Sequence, residues 1–232
     1  LVLDALELFR ELGFTVWLAP FLPNGKPVHI LGMLGRFERA ARRNAASLKA
    51  LADTGVPLVG LEPAMTLTYR SEYVEALGPG AVPRVALPQE WLAAQLDRIP
   101  RREPADAVAW SLLAHCTERT NAPAATADWV RVARHLGVEL KVVPSGCCGM
   151  AGLYGHQRAH RPASERIYGL SWGRILAQPA MAGKVAATGY SCRCQAGLID
   201  GVELPHPLQL LLRALKGERA SARISGPAPR PA

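Results

Sequence analysis

Long hydrophobic runs are missing from this chain. No apolar stretch approaches the roughly 20 residues that a membrane-spanning helix needs, which argues against a transmembrane segment of that kind. The start lacks both a Met and the basic stretch with apolar run of a signal peptide, opening directly on a helical pattern. It reads as the interior of a longer protein. Lysine is scarce: Lys26, Lys49, Lys141, Lys184 and Lys216 are the whole supply, so arginine carries the net charge of +8. Arg42-Arg43 and Arg101-Arg102 pair up, but the other arginines are scattered, with no basic stripe or aromatic partners suited to nucleic acid. They read as a solvated surface. Cysteine is sparse and odd in number, five in all, which does not suit the disulfide framework of a small secreted domain. A reducing cytoplasmic setting fits better, with peripheral association with a membrane left open.

What is present describes a globular protein. The 232 residues are 49% hydrophobic and 20% charged, enough for one large or two small domains with a buried core. Leu3, Leu6, Leu8, Phe9 and Leu12 recur at helical spacing over residues 2–12, closed by Gly13, and Phe14 to Ala19 then reads as a short buried strand. Arg36 to Asp53 reads as a helix, Val56 to Leu61 as a strand and Met65 to Leu77 as a helix. Gly78 to Pro104, rich in Gly, Pro and Arg, reads as a connector with one helix, Pro88 to Leu96. The pattern resumes with strands at Ala107 to Ala114, Val138 to Val143 and Lys184 to Thr188. Between and after them, helices are expected over Thr126 to Leu136 with Thr126 as N-cap, Ala163 to Leu176, and Leu208 to Lys216. Alternating helices and strands of this kind make an α/β fold with parallel sheets.

The two halves repeat each other. Leu12-Gly13 matches Leu136-Gly137 at an offset of 124, Pro20 matches Pro144, and Pro23-Asn24-Gly25 falls on Cys147-Cys148-Gly149. After a three-residue insertion, at offset 127, Met65 falls on Cys192. The expected architecture is two pseudo-repeated parallel-sheet units flanked by helices. Residues 1–80 form a copy without cysteines, 81–105 a connector, 106–216 the cysteine-bearing copy, and 217–232 a disordered tail.

Cys116, Cys147-Cys148 and Cys192 each follow an expected strand, so all of them fall at the same edge of a parallel sheet, where open α/β sheets place their ligands. Gly146 and Gly149 bracket the adjacent pair and permit close backbone approach. A single cysteine would read as a small buried hydrophobe; four converging ones read as a metal site. Zinc also accepts four thiolates, but its structural sites come as paired C-x2-C knuckles, a spacing absent here. Cys194 is left as a further ligand, a spare or a surface thiol. The glycines at 146, 149, 152 and 155 match neither the dinucleotide fingerprint nor the P-loop.

The run Gly146-Cys-Cys-Gly-Met-Ala-Gly-Leu-Tyr-Gly155, with His115-Cys-Thr-Glu-Arg-Thr120 before it and Thr188-Gly-Tyr-Ser-Cys-Arg193 after it, resembles the cysteine-rich CCG domain family. That family includes the iron–sulfur subunits of anaerobic glycerol-3-phosphate dehydrogenase and of heterodisulfide reductase. Gly60-Leu-Glu-Pro-Ala-Met-Thr-Leu-Thr-Tyr-Arg70 and Leu204-Pro-His-Pro-Leu-Gln209 are similar to the C-terminal part of the FAD-linked D-2-hydroxyglutarate dehydrogenases. The resemblance implies an iron–sulfur cluster, of 4Fe-4S type, on Cys116, Cys147, Cys148 and Cys192. It also implies FAD in a separate N-terminal part, a ferredoxin-like segment between them, and an electron acceptor downstream. The family's C-x-x-C reads Gly189-Tyr-Ser-Cys192 here, one thiolate short, which favours four ligands over five.

His115, Glu118, Arg119, Tyr154 and His156 flank the cysteines and either tune a cluster or simply order its loops. His206 before Pro207 reads as a helix-entry residue. Two other functions compete with electron transfer: thiol–disulfide chemistry of the heterodisulfide type, supported by Cys194 beside Cys192, and a zinc-stapled module that holds an acidic partner.

Overall fold

The computed structural model describes residues 1–104 and 108–217. Its elements run α1 (Val2–Glu11), α2 (Lys26–Ile30), α3 (Leu34–Ala52), β1 (Leu58–Val59), α4 (Pro63–Thr68), α5 (Glu72–Leu77), β2 (Val85–Ala86) and α6 (Pro88–Ala93). They continue with β3 (Trp110–Leu113), α7 (Cys116–Asn121), α8 (Pro123–His135), β4 (Leu140–Val142), α9 (Arg161–Leu170), α10 (Trp172–Leu176), β5 (Val185–Ala187), α11 (Tyr190–Asp200) and α12 (Pro207–Leu215).

Helical periodicity puts Ala5, Leu8 and Phe9 of α1 on one buried face, and Trp129, Val132 and Ala133 of α8 on another. Both helices end on a glycine with positive φ, Gly13 at +86° and Gly137 at +76°, which lets the chain turn back toward a sheet. The sheets are parallel and short. One joins β1 to β2, and the other has the order β4-β3-β5, with Leu112 facing Val142 on one side and Ala186 on the other. α1, α6, α8 and α12 pack with β3 and β4 into the largest core. A second core, from Leu113, Met150, Tyr168, Trp172, Val185 and Ala187, encloses Cys148 and Cys192. A third pairs Phe37 and Ala41 of α3 with Tyr73.

The α/β class with two parallel sheets stands, while several boundaries move. Phe14 to Ala19, expected as a strand, forms no regular element and has no ladder partner among the described residues. Met65 to Leu77 splits into α4 and α5. Arg70 leaves the helical course to hold Val85 O and the Glu90 carboxylate, and Ser71 takes a non-helical conformation. Ala163 to Leu176 splits at Ser171 in the same manner. α8 begins at Pro123, whose missing N–H costs nothing at a helix start, so Thr126 lies inside the helix instead of capping it. The connector holds β2 as well as a helix, and α2, α7 and α11 are further helices beyond those expected. The expected strand start at Ala107 and the expected tail from 218 to 232 lie outside the described residues.

Leu112 is the central residue of the central strand and has no exposed surface. Replacing it with alanine leaves a cavity between the sheet and α8. Leu112→Ala is predicted to lower unfolding free energy by about 2–5 kcal/mol in urea, with the denaturant slope unchanged.

Candidate functional site

Because β4, β3 and β5 run parallel side by side, their C-terminal ends open on one edge. Three residues past the end of β3, α7 starts at Cys116. The loop after β4 carries Cys147 and Cys148, and α11 after β5 carries Cys192 in its first turn. The four thiols meet there. Cys116 and Cys148 both hydrogen-bond to Cys147, and Cys148 bonds also to Cys192. They form a hydrogen-bonded chain, and among the described residues no three His, Cys, Asp or Glu are already set around a common point as a metal shell.

The loop is held by contacts that depend on small residues. The Gly146 N–H donates to Ser171 Oγ at 2.6 Å and Trp172 Nε1 donates to Gly146 O at 3.1 Å, so the break between α9 and α10 aims two groups at the cysteines. Gly149 has φ +85°, and a Cβ there would lie 2.2 Å from Ser164 O. No side chain fits. Ser164 Oγ in turn donates to Gly149 O and receives Gln195 Nε2, both at 2.8 Å, which ties the loop to α9 and α11.

The electrostatics single out Cys147. Hydrogen bonds from Cys116 and Cys148, and then from the Gly149 N–H at 3.3 Å, hold its thiol far below the ordinary range despite partial burial. The same contact pushes Cys116 upward, with burial adding to it, and Cys148 rises because it is bonded to both Cys147 and Cys192. Cys194 packs against the core that holds Cys148 and Cys192, and bonds to the exposed Tyr190.

Glu118, two residues beyond Cys116 on α7, has no exposed surface. Its carboxyl accepts from Gln89 Nε2 at 2.6 Å, Trp129 Nε1 at 3.0 Å and Thr188 Oγ1 at 2.5 Å, while burial pushes its pKa up to about 7. Thr188 Oγ1 also accepts the His115 N–H at 2.9 Å. In the sequence Glu118 stands only among flanking residues, since its partners lie 11 to 70 positions away. His115 caps α7, its Nδ1 accepting the Thr117 N–H at 3.2 Å. That leaves the proton of the neutral ring on Nε2, 3.5 Å from Ser191 Oγ, and burial lowers the pKa of the ring. Tyr154 and His156 lie on the turn after the loop, where Tyr154 stacks on His160 at 4.4 Å. His206 is fully buried and caps α12, as a helix-entry residue would.

Gly189 explains the shortened motif. A Cβ there would fall 2.3 Å from the His115 ring and 3.0 Å from Cys192 Sγ. The imidazole fills the space into which a thiolate at 189 would project. In the first half, Pro23, Asn24 and Met65 stand where the second half has Cys147, Cys148 and Cys192. Asn24 Nδ2 meets Met65 O at 3.4 Å and Met65 Sδ at 3.3 Å, a contact that parallels the Cys148–Cys192 bond without its chemistry.

An α/β chain with four thiols at one sheet edge therefore defines the candidate site, and the comparisons point to redox proteins. The chain is 48% identical over 208 residues to a D-2-hydroxyglutarate dehydrogenase of Pseudomonas putida, covering 90% of this chain and 20% of that protein. It is 42% identical over 216 residues to the Escherichia coli D-2-hydroxyglutarate dehydrogenase, covering 93% and 21%. It is also 26% identical over 196 residues to one of the subunits of the Escherichia coli anaerobic glycerol-3-phosphate dehydrogenase, covering 82% and 49%. The chain thus spans about a fifth of the length of the first two relatives. No family model and no solved structure matches it.

The Gly189–His115 contact gives a test. Gly189→Ala is predicted to cost about 1–3 kcal/mol through overpacking, measured by urea unfolding of the metal-free protein. In a His115→Ala background the same change should cost much less, and an equal cost in both would remove the steric account.

Proposed function

We propose that the chain is the iron–sulfur electron-transfer module of a larger FAD-linked dehydrogenase that oxidises a D-2-hydroxy acid. D-2-Hydroxyglutarate is the substrate in the names of its relatives. The observation that carries this reading is the single hydrogen-bonded chain of four sulfurs drawn from three neighbouring strand ends. Cys116, Cys147, Cys148 and Cys192 would hold the cluster, and Cys194 would not.

The donor set fits such a group. Four adjacent thiols cannot all ionise beside one another, as the opposed shifts of Cys147 and its neighbours show. Bound cations reverse that logic and keep every coordinating thiol deprotonated. When bound, the cluster supplies one-electron storage between a two-electron flavin and a single-electron acceptor. The chain's own residues do the rest. Met150, Trp172, Tyr168 and Leu113 keep water from the inner thiols. The Gly149 N–H lends positive dipole to Cys147 Sγ. Arg193 Nη1 donates to Ala187 O at 3.0 Å and Thr188 O at 2.9 Å, holding a cation beside Cys192 at the end of β5.

Hydride abstraction from the hydroxy acid belongs in this reading to the flavin part outside this chain, joined through a ferredoxin-like segment. The buried carboxylate of Glu118, already saturated by three donors, does not suit substrate proton transfer.

Cys192→Ser and Cys194→Ser, each reconstituted anaerobically, test the ligand assignment by iron content and visible absorbance. Cys192→Ser is predicted to lose most of the cluster, with its fold retained by circular dichroism, and Cys194→Ser to keep it. The reverse result would overturn the assignment. Loss in both would revive a five-thiolate site and with it disulfide chemistry.

A further inference from the structure

The segment from Phe14 to Ala19 is mostly apolar, alternates between half-buried and exposed residues over 14–17, and is bonded to no strand among the described residues. Phe14 and Val16 pack inward against the main core, whereas Trp17 is 78% exposed, Leu18 72% and the nearby Phe21 87%. Unpaired backbone beside a sheet, carrying exposed large apolar side chains, is a pairing liability that proteins ordinarily cover. The second half shows what covers the matching segment.

At offset 124 the backbone bonds coincide. Gly13 N–H to Arg10 O matches Gly137 N–H to Arg134 O, and Phe14 N–H to Phe9 O matches Val138 N–H to Ala133 O. At offset 127, Gly60 matches Ala187. The Gly60 N–H donates to Ala86 O in β2, and the Ala187 N–H donates to Pro205 O, both at 2.9 Å, so β1 and β5 have an outer neighbour in the same place. The inner side differs. In the second half β3 lies between β4 and β5. The Trp110 N–H donates to Glu139 O at 2.8 Å, Leu112 O accepts the Val143 N–H at 2.9 Å, and the Ser111 N–H donates to Lys184 O at 2.8 Å. The matching atoms in the first half are Thr15 O, the Ala19 N–H and Pro57 O. None has a backbone partner among the described residues.

We propose that Phe14–Ala19 and β1 accept a parallel β-strand between them, completing a first sheet of the same order as the second. The occupant is a strand of the longer protein, and the repeat offset puts it upstream of Leu1. This rests on the reading of the chain as part of a larger protein, since the chain spans about a fifth of the length of its relatives. Strand addition to an open sheet edge takes its affinity from main-chain bonds and its register from alternate side chains. Here Val16 would face the core, with Trp17 on the opposite face.

The test compares hydrogen exchange in this chain alone and in the full-length natural protein, read on peptides covering 14–21 and 57–61. Exchange should slow at least about tenfold in the full-length protein, because a ladder replaces open backbone. Ala19→Pro removes the donor matched to Val143. It should lower the melting temperature of the full-length protein by a few degrees and restore fast exchange, yet leave this chain's melting temperature unchanged. Equal exchange in the two proteins would overturn the proposal. So would protection that appears in this chain alone as its concentration rises, which would mean a second copy fills the edge. Neither readout depends on metal, so failure here is distinct from failure of the cluster reading.

Discussion

A buried carboxyl without donors is costly, and Glu118 has no exposed surface. Its three donors come from three different elements: Gln89 on α6, Trp129 on α8 and Thr188 at the end of β5. Each lost bond would strand a buried charge or dipole at about 1–3 kcal/mol. The network therefore fixes where α7 begins, because Glu118 is two residues beyond Cys116 and Thr188 also receives the His115 N–H. α6 belongs to the connector between the halves, so the same carboxyl ties the sheet that bears the site to the segment before it. The position of Cys116 relative to Cys192 follows from this one group.

Around that anchor, crowding does the selecting. Gly149 lies so close to Ser164 O, and Gly189 so close to the His115 ring, that neither position accepts a side chain. The first contact holds the paired cysteines down on α9. The second leaves His115 in the space that a cysteine at 189 would enter. The number of sulfurs at the edge is thus set by packing as well as by sequence.

Much of this is legible in the sequence, and the rest shows where local patterns stop. The convergence of Cys116, Cys147, Cys148 and Cys192 follows from apolar runs before each cysteine, because parallel strand ends share an edge. The α/β class follows from the same alternation. Helix interruptions at Arg70–Ser71 and Ser171 are not legible, since long-range bonds to Val85, Glu90 and Gly146 cause them. α7 and α11 escape the periodicity because their apolar faces are short and several of their residues serve the site. Phe14 to Ala19 has the composition of a strand and reads as one. Pairing is a property of neighbours, and among the described residues no strand bonds to it. The Glu118 network leaves no sequence signal because its partners are scattered along the chain.

The proposed iron–sulfur site rests on four thiols gathered at one sheet edge, with their neighbours packed to keep them there. The decisive measurement is chemical analysis of iron and acid-labile sulfide per chain, after anaerobic reconstitution of the unaltered protein with both iron and zinc offered. About four of each in a brown protein is the predicted result, as a four-thiolate cubane requires. One zinc per chain, with neither iron nor sulfide retained, would contradict it.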